Sequence, residues 1–408
     1  MEQLNTRCCI VGGGPAGMML GFLLARAGVE VSVLEKHADF LRDFRGDTIH
    51  PSTLDLLHEL GLLEKFLQRP HDEVRQLTGW IGDSHLRMAD FTHLPTHCKF
   101  LAFMPQWDFL NFFAEEAKRY PSFRLLTNTE ATDLLVEDGL VAGVRAKSPQ
   151  GPLAIRAGVT VAADGRQSIL RQRAGLESIH LGAPMDVLWM RISRAESDPP
   201  ITLGRVDFGR ILVLLNRGTY WQCALIIPKG AYDDLRARGL PAFQAQLAQL
   251  APFLRDRVAE FTDWDQIKLL TVIVDRLKRW WRPGLLCIGD SAHAMSPIGG
   301  VGINLAIQDA VAAANILAKP LQTGPGAGDR DLAAVQNRRE FPTRATQRMQ
   351  ILIQNSVIRR VLRGSRIQAP WLLKLVDRWP LLQRIPARLV GIGFRPEHVR
   401  TPDVHSSP

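Results

Sequence analysis

The 408-residue sequence predicts an α/β fold in which a small α+β unit, built on an antiparallel sheet, is inserted into a βαβ domain. A C-terminal helical segment completes the chain. The first 35 residues alternate strand, helix and strand patterns, as a parallel βαβ unit does. From about residue 185 to 229 the pattern changes to the period-two alternation of antiparallel strands. Residues 329–400 show helical periodicity interrupted by prolines.

Composition is that of an ordinary globular protein, with 46% apolar and 22% charged residues. No uninterrupted apolar run reaches the ~18 residues that span a bilayer, and the first residues lack the basic region of a secretory signal. The five cysteines are odd in number and scattered, which indicates small core residues rather than disulfides or metal ligands. We therefore expect a cytoplasmic protein without a metal site.

The G-x-G-x-x-G pattern of Gly12, Gly14 and Gly17 directly follows the first strand. The first glycine permits a tight turn, the second lets backbone amides approach a pyrophosphate, and the third lets the helix pack against the strand. Glu35 ends the second strand, where a carboxylate accepts from ribose hydroxyls. This predicts a Rossmann-like dinucleotide-binding domain, whereas the pattern alone could also be a chance glycine turn.

A second acidic site lies about 270 residues further along the chain. Gly289-Asp290 follows a buried strand, and a glycine-rich helix entrance runs from Pro297 to Gly302. NAD needs only the first half-site, whereas FAD, with its ribityl chain and tricyclic ring, uses both. Asp290 would accept from ribityl hydroxyls, and the helix starting near Gly302 would direct its positive end at the flavin pyrimidine. The alternative is that Asp290 is an ordinary helix N-cap.

Taken in order, Gly12–Gly17, Asp164-Gly165 and Gly289-Asp290 resemble the three fingerprints of the class A flavoprotein monooxygenases, the para-hydroxybenzoate hydroxylase family. The resemblance covers about residues 5–320. It implies an FAD-dependent hydroxylase that takes NADPH or NADH as a transient reductant and O2 as co-substrate, and that acts through a flavin C4a-hydroperoxide. The sequence has no second G-x-G-x-x-G, which agrees with transient docking of the nicotinamide.

The resemblance also implies roles for individual residues. Arg45 would lie near the flavin and its nicotinamide partner, and Gln106 would bind the ribityl chain. Asp164-Gly165 would contact both FAD and NAD(P)H, and Pro297 would lie beside the flavin carbon that reacts with oxygen. The alternatives are that Arg45 is an ordinary surface arginine and that Asp164-Gly165 is a simple turn that ends a strand. The predicted cofactor set is Gly12, Gly14, Pro15, Ala16, Gly17, Glu35, Arg45, Gln106, Asp164, Gly165, Gly289, Asp290, Pro297, Gly300, Gly302, Ile303 and Asn304, with Arg45 and Pro297 as the catalytic residues.

The substrate is expected between the inserted sheet and the flavin. Candidates are Trp189 with Arg191, and Tyr220 with Gln222, because residues two apart share a face of a strand. The sequence leaves open which face points inward. Apolar and aromatic candidates outnumber acids, which favours a hydrophobic phenol, quinolone or polyketide.

The predicted division of the chain is an FAD-binding domain (1–180 and 276–320), a substrate-binding sheet domain (181–275) and a C-terminal helical module (329–400). A linker at 320–328 and a loose tail at 398–408 are expected. From Asp329 to the end there are nine more basic than acidic residues, which equals the net charge of the whole chain, +9. No nucleic-acid motif accompanies this charge. Basic residues beside Trp and Leu are typical of an interfacial helix with peripheral membrane contact; the alternative is a solvated face on helices that cap the substrate domain.

Three other functions remain open. A flavin-dependent halogenase needs a Trp-x-Trp-x-Ile-Pro stretch, and the segment from Trp221 to Pro228 lacks the second tryptophan. A flavin reductase acting on isoprenoid double bonds and a non-catalytic flavin-binding protein are the others. His293 is expected to be structural rather than a catalytic base, because it lies in the helix entrance.

Overall fold

The computed structural model describes residues 2–41, 48–199, 203–323, 326–358, 361–362 and 369–405. Within these residues the predicted α/β class, with an added antiparallel sheet, is confirmed. The strands are β1 (Glu2–Val11), β2 (Val31–Leu34), β3 (Thr48–Ile49), β4 (Asp72–Val74), β5 (Gln76–Ile81), β6 (Ser84–Asp90), β7 (Leu101–Phe103), β8 (Phe123–Leu126), β9 (Glu130–Glu137), β10 (Leu140–Ser148), β11 (Gly151–Ala162), β12 (Ser178–His180), β13 (Met185–Ser193), β14 (Leu203–Asp207), β15 (Arg210–Asn216), β16 (Tyr220–Pro228), β17 (Lys268–Leu270), β18 (Asp275–Leu277), β19 (Trp281–Arg282) and β20 (Leu285–Cys287). The α-helices are α1 (Pro15–Arg26), α2 (Pro51–Glu59), α3 (Leu63–Leu67), α4 (Gln106–Ala117), α5 (Ile169–Arg173), α6 (Tyr232–Ala237), α7 (Leu240–Leu250), α8 (Val301–Thr323), α9 (Asp329–Ile353), α10 (Trp371–Arg378) and α11 (Pro380–Gly391).

The first sheet has a parallel centre in the order β20-β11-β1-β2-β8. Val11 pairs with Leu34 on one side and Ala162 on the other, and Ala162 pairs with Cys287. The carboxyl ends of these four strands therefore meet at one edge of the sheet. Ligands of open α/β sheets bind at this edge.

Burial explains why these segments form a parallel centre. The last four residues of β1, Cys8–Val11, are buried, as is all of β2, because helices cover one face of the sheet and residues of β9 and β10 pack on the other. Helix α1 packs against α8 on one of these faces. The five cysteines are buried and free, as predicted from their place in apolar runs.

The second sheet is antiparallel over most of its width, in the order β17-β13-β16-β15-β14-β5-β6. Two of its strands, β5 and β6, come from residues 76–90, inside the range assigned from sequence to the first domain. The chain therefore crosses between the sheets more often than predicted, while the domain boundaries themselves remain a prediction. Helices α6 and α7 cover one face of this sheet, around Leu188, Met190 and Leu225.

The C-terminal helices differ from prediction at their ends. Helix α8 continues through Pro320 to Thr323, so the expected linker is shorter than predicted. Helix α9 ends at Ile353 and is followed by a π-helical turn, Gln354–Ile358. Helices α10 and α11 pack on strand β6, where the amide of Arg87 donates to Asp377 Oδ1 at 2.8 Å. These contacts agree with one of the two interpretations of the C-terminal helical module, namely that its helices cap the substrate domain.

The described part of the tail, residues 398–405, is docked rather than loose. Arg26 donates to the Thr401 carbonyl at 2.7 Å, and the His405 ring stacks on Tyr120. The expectation of a loose tail was therefore wrong for these residues. No local pattern marks this contact, because its partners lie at the end of α1 and shortly after α4.

Helix α8 with its preceding turn, Ile298–Thr323, is long and apolar enough to cross a membrane by length and composition, with a mean hydropathy of 1.4. However, 78% of its most apolar window is buried inside the protein, against α1 and α9. We interpret it as a core helix, which explains its composition without a bilayer.

A buried ion pair joins α8 to α9. Arg339 Nε donates to Asp309 Oδ1 at 2.9 Å, and its Nη1 donates to Glu397 at 3.2 Å. The Arg339 side chain is 1% exposed and that of Asp309 is 0% exposed. Because both charges are desolvated, each depends on the other for compensation.

We predict that Arg339→Met lowers the free energy of unfolding by about 3–5 kcal/mol, because it leaves Asp309 and Glu397 buried with fewer donors. Arg344→Met, on the same helix, removes only an exposed i,i+4 pair with Glu340 and should change stability by less than ~1 kcal/mol. Urea unfolding at matched FAD concentration measures both. Equal effects of the two substitutions would contradict the assigned role of Arg339.

Candidate active site

The three glycines of the first motif have the geometry that the sequence predicts. Gly12 has φ = 108°, and a Cβ there would lie 2.3 Å from the Ala163 carbonyl oxygen. A Cβ on Gly17 would lie 1.9 Å from the Gly12 carbonyl oxygen. By contrast, nothing lies within 4 Å of a Cβ built on Gly14, at the start of α1. Open space at a helix N-terminus suits an anionic group such as pyrophosphate.

Glu35 lies directly beside this turn. Its Oε2 accepts from the Gly13 amide at 3.2 Å and its Oε1 from the His37 amide at 3.0 Å. A carboxylate has about four lone-pair sites, so these bonds are compatible with donation from ribose hydroxyls. The carboxylate thus closes the glycine turn and marks the predicted ribose position.

Asp164 follows β11 at the same sheet edge. Its Oδ2 accepts from the Ile169 amide at 2.9 Å at the start of α5, so the carboxylate ends a turn. Its Oδ1 is buried and has no hydrogen-bond partner within the described ranges. Burial raises the pKa of this carboxyl above its ordinary value. An orphaned buried oxygen beside Gly12 fits a bound group that supplies a donor, as the hydroxyls of FAD do.

Asp290 is partly exposed and pairs with Arg166, whose Nη2 donates to Asp290 Oδ2 at 3.1 Å. Arg166 directly follows Asp164-Gly165, so this ion pair connects the second fingerprint to the third. Arg171 adds a buried connection, because its guanidinium donates to the carbonyls of Arg166 (2.8 Å) and Ser291 (3.4 Å). Sequence analysis missed both arginines; the position of Arg166 beside the fingerprint was the available signal.

Gly289 brings the two half-sites together. Its φ is 60°, and a Cβ there would lie 3.2 Å from the Cβ atoms of both Ala16 on α1 and Ala306 on α8. Its amide donates to Asp309 Oδ2 at 3.1 Å. Residues 277 positions apart in the sequence, Gly12 and Gly289, therefore belong to one site, as two half-sites of one FAD molecule require.

Asp309 also accepts from His293 Nε2 at 2.5 Å. Burial alone would raise the pKa of Asp309, but attraction and hydrogen bonds from His293 and Arg339 outweigh it and lower the pKa below its ordinary value. His293 is 1% exposed and packs against Trp280. These contacts confirm the expectation that His293 is structural.

The entrance to α8 is shaped by close contacts. Gly300 has φ = 61°, and a Cβ there would lie 2.9 Å from Thr48 Oγ1. The Asn304 amide oxygen accepts from the His50 backbone amide and from Thr53 Oγ1, each at 2.8 Å, and its Nδ2 donates to the Thr48 carbonyl at 2.9 Å. The Asn304 side chain thus holds β3 against α8. The predicted contact of Asn304 with the cofactor remains a prediction. Because the side-chain amide is engaged in these hydrogen bonds, the backbone amide is the group of Asn304 that would make this contact.

His50 lies behind this entrance. Its Nδ1 donates to the Val390 carbonyl at 2.7 Å, which fixes the tautomer of a neutral ring. Burial lowers the pKa of His50 to about 4. His50 therefore stays uncharged at neutral pH and anchors the C-terminal segment to the site.

Helix α9 holds the loop before α8 through its side-chain amides. Gln350 Oε1 accepts from the Ser296 amide at 3.2 Å, and Gln350 Nε2 donates to the carbonyls of Ser296 and Ile298, each at 2.9 Å. Gln347 Nε2 donates to the carbonyls of Asp275 and Ala294. The loop that carries Pro297, the predicted neighbour of the reacting flavin carbon, is therefore fixed on both sides.

The structure decides which face of the antiparallel sheet points inward. Trp189 packs in one cluster with Ile298 of this loop, together with Val187 and Ile226. It also belongs to a second cluster with Phe103 on β7 and Val390. The side chains between the sheet and the loop that carries Pro297 are therefore largely apolar, and we call the substrate position predicted here the candidate cleft.

The other substrate candidates lie further along the same face, as the pairing of Arg191 with Gln222 requires. The Arg191 guanidinium lies 4.6 Å from the centre of the Tyr220 ring and is exposed. Gln222 is buried and accepts from Arg217 Nε at 3.2 Å. Trp189 belongs to the cluster that contains Ile298, while the roles of all four residues remain predictions.

Arg45 lies outside the described residues. Gln106 is the first residue of α4, half-buried, and follows β7, which pairs with β3 next to Asn304. This location is compatible with the predicted ribityl contact.

Comparison with known proteins agrees with this site. A family model described as an FAD binding domain matches residues 5–349. The 6-methylpretetramide 4-monooxygenase of Streptomyces rimosus is 33% identical over 406 residues, 98% of this chain and 95% of the relative. The chain belongs to this FAD-binding family, as a class A aromatic hydroxylase, and is an FAD-dependent monooxygenase.

Two solved structures show the same fold. PqsL from Pseudomonas aeruginosa, a probable FAD-dependent monooxygenase, has a TM-score of 0.74 and 22% identity, covering 88% of this chain and 99% of its own. A flavin-dependent brominase has a TM-score of 0.76 and 16% identity, covering 95% of this chain and 93% of its own. The fold is thus shared by enzymes of different chemistry, and the reaction must be argued from the site.

We predict that Gly14→Val leaves the FAD-free protein folded but weakens FAD binding at least about tenfold, because the new side chain fills the space before α1. Gly17→Ala should instead disrupt the fold, since its Cβ would collide with the Gly12 carbonyl. Circular dichroism and FAD titration by fluorescence measure the two effects. Wild-type FAD affinity in Gly14→Val would show that the pyrophosphate does not lie there.

Proposed function

We propose that the protein hydroxylates a hydrophobic polyketide or phenolic substrate, using NADH or NADPH as reductant and O2 as co-substrate. The observation that carries the proposal is the apolar cluster that contains Trp189 and Ile298, beside the loop that Gln350 holds. The relative at 33% identity acts, by its name, on 6-methylpretetramide. Its match over nearly the whole chain supports a substrate of that class.

FAD, when bound, supplies the acceptance of hydride and the activation of O2. The residues of the chain bind and orient it. The open turn at Gly14 and the α1 N-terminus would hold the pyrophosphate, and Asp164 and Asp290 would accept from its hydroxyls. The N-terminus of α8 would stabilise negative charge on the flavin pyrimidine.

The chain must also keep water from the reacting atoms. The Trp189 and Ile298 cluster gives the cleft an apolar wall. A hydroxylation balances when one oxygen atom of O2 replaces a substrate hydrogen as hydroxyl, and the other leaves as water with two electrons from NAD(P)H. In this proposal no side chain has to act as a nucleophile.

A halogenase is the second candidate, favoured by the shared fold of the brominase. One observation opposes it. Trp221, the single tryptophan of the segment that approximates the halogenase pattern, is 0% exposed on the sheet face away from the cleft, and its Nε1 donates to Asp198 at 2.8 Å. It therefore does not line the candidate substrate cleft.

The test combines the holoenzyme with NADH or NADPH, isotopically labelled O2 and a panel of polycyclic phenols that includes 6-methylpretetramide. We expect substrate-dependent O2 consumption and a product that carries one labelled oxygen atom, which mass spectrometry detects. A brominated or chlorinated product in the presence of halide would favour the halogenase. Substrate reduction without O2 uptake, or no turnover of any substrate with FAD bound, would contradict the hydroxylase.

A further inference from the structure

Helices α10 and α11 expose an apolar surface, which we call the outer face. It consists of Trp371, Leu372, Leu375, Trp379, Leu381 and Ile385. These side chains are between 39% and 71% exposed. Single exposed apolar residues are common, but six of them on two neighbouring helices, two being tryptophans, mark an interaction surface.

Helix α10 exposes large apolar side chains where a surface helix of a globular protein carries polar ones. Trp371, Leu372 and Leu375 lie within about 100° of the helix circumference and face solvent. The opposite side carries Asp377, whose carboxylate binds the Arg87 amide on β6. The same side carries Leu373, which packs against Ile81 and Leu86. The helix is thus held to the protein by this side, and the side with Trp371, Leu372 and Leu375 is left to a partner.

The charges beside the outer face indicate the partner. Lys374 and Arg378 on α10, and Arg384 and Arg388 on α11, are all exposed. The one acid of these two helices, Asp377, is engaged with β6. Basic side chains next to Trp and Leu on exposed helices complement an anionic surface with an apolar layer beneath it.

From this complementarity we propose that the outer face docks on an anionic lipid bilayer, with Trp371 and Trp379 at the interface and the four basic residues on lipid headgroups. A bilayer suits this surface because convex helices can insert protruding side chains into lipid without a matching groove. The inner side of α11 contributes Ala387 and Val390 to the cluster that contains Trp189. Docking would therefore bring the candidate cleft close to the membrane surface.

Flotation of the full-length holoenzyme with lipid vesicles tests the proposal without any substrate. Vesicles of equal parts phosphatidylglycerol and phosphatidylcholine should bind the protein at low salt, whereas pure phosphatidylcholine vesicles should not. Added salt should weaken binding, as screening of surface charges requires. No binding to the anionic vesicles at low salt would overturn the proposal.

Two variants and two matched controls locate the contact. Arg384→Gln with Arg388→Gln should lower the partition coefficient about 30-fold, because each basic residue near an anionic surface contributes about a factor of five. Trp371→Ser with Leu375→Ser should lower it at least about tenfold through lost apolar insertion. The controls are Arg145→Gln with Lys147→Gln, and Leu140→Ser, which change exposed residues on β10. They should bind like the wild type.

Retained FAD absorbance and circular dichroism establish that each variant is folded. Equal loss of vesicle binding in the variants and in the controls would overturn the assignment of the lipid contact to the outer face. Sedimentation velocity without lipid supplies a separate check: a dimer that the Trp371→Ser, Leu375→Ser variant abolishes would assign the outer face to a second copy of this chain and contradict the lipid proposal.

Discussion

Asp309 is completely buried, and its carboxylate is bound by three donors from two separate parts of the chain, the turn after β20 and helix α9. These are the Gly289 amide, His293 Nε2 and Arg339 Nε. A buried carboxylate is costly unless it is hydrogen-bonded and paired, so these partners are fixed in position. Because Gly289 also touches Ala16 of the first motif, the carboxylate determines how the two halves of the FAD site meet.

Buried polar side chains that hold neighbouring segments through hydrogen bonds also occur along α9. This helix buries a row of polar side chains where an apolar stripe would be expected, namely Gln336, Arg339, Thr343, Gln347 and Gln350, and Gln354 of the following π-helical turn is buried as well. Gln347 and Gln350 bind backbone groups of the segment from Asp275 to Ile298 rather than other side chains. Apolar packing is non-directional, whereas amide hydrogen bonds specify loop geometry. A stripe of glutamines can therefore hold an irregular loop at the flavin in one conformation.

The parts of the site that could be predicted from sequence are those set by local conformation. The roles of Gly12 and Gly17 follow from turn geometry, and the structure shows the collisions that exclude any other residue. The pairing of Arg166 with Asp290, and of Gln350 with Ser296, joins residues far apart in the chain. Helical periodicity placed the long C-terminal helix but could not indicate that its buried side is polar. The inward face of the sheet also required the tertiary packing of Trp189.

Titration of FAD into Gln350→Leu and Gln354→Leu tests most directly whether the α9 hydrogen bonds form the flavin site. Gln350→Leu leaves three backbone groups of the loop without partners, and each such loss costs about 1–3 kcal/mol. Gln354 is buried one turn away, and its Nε2 has no partner within the described ranges, which makes it the matched control. We predict that FAD binding is weakened at least about tenfold in Gln350→Leu and unchanged in Gln354→Leu. Wild-type FAD affinity in Gln350→Leu would contradict this prediction.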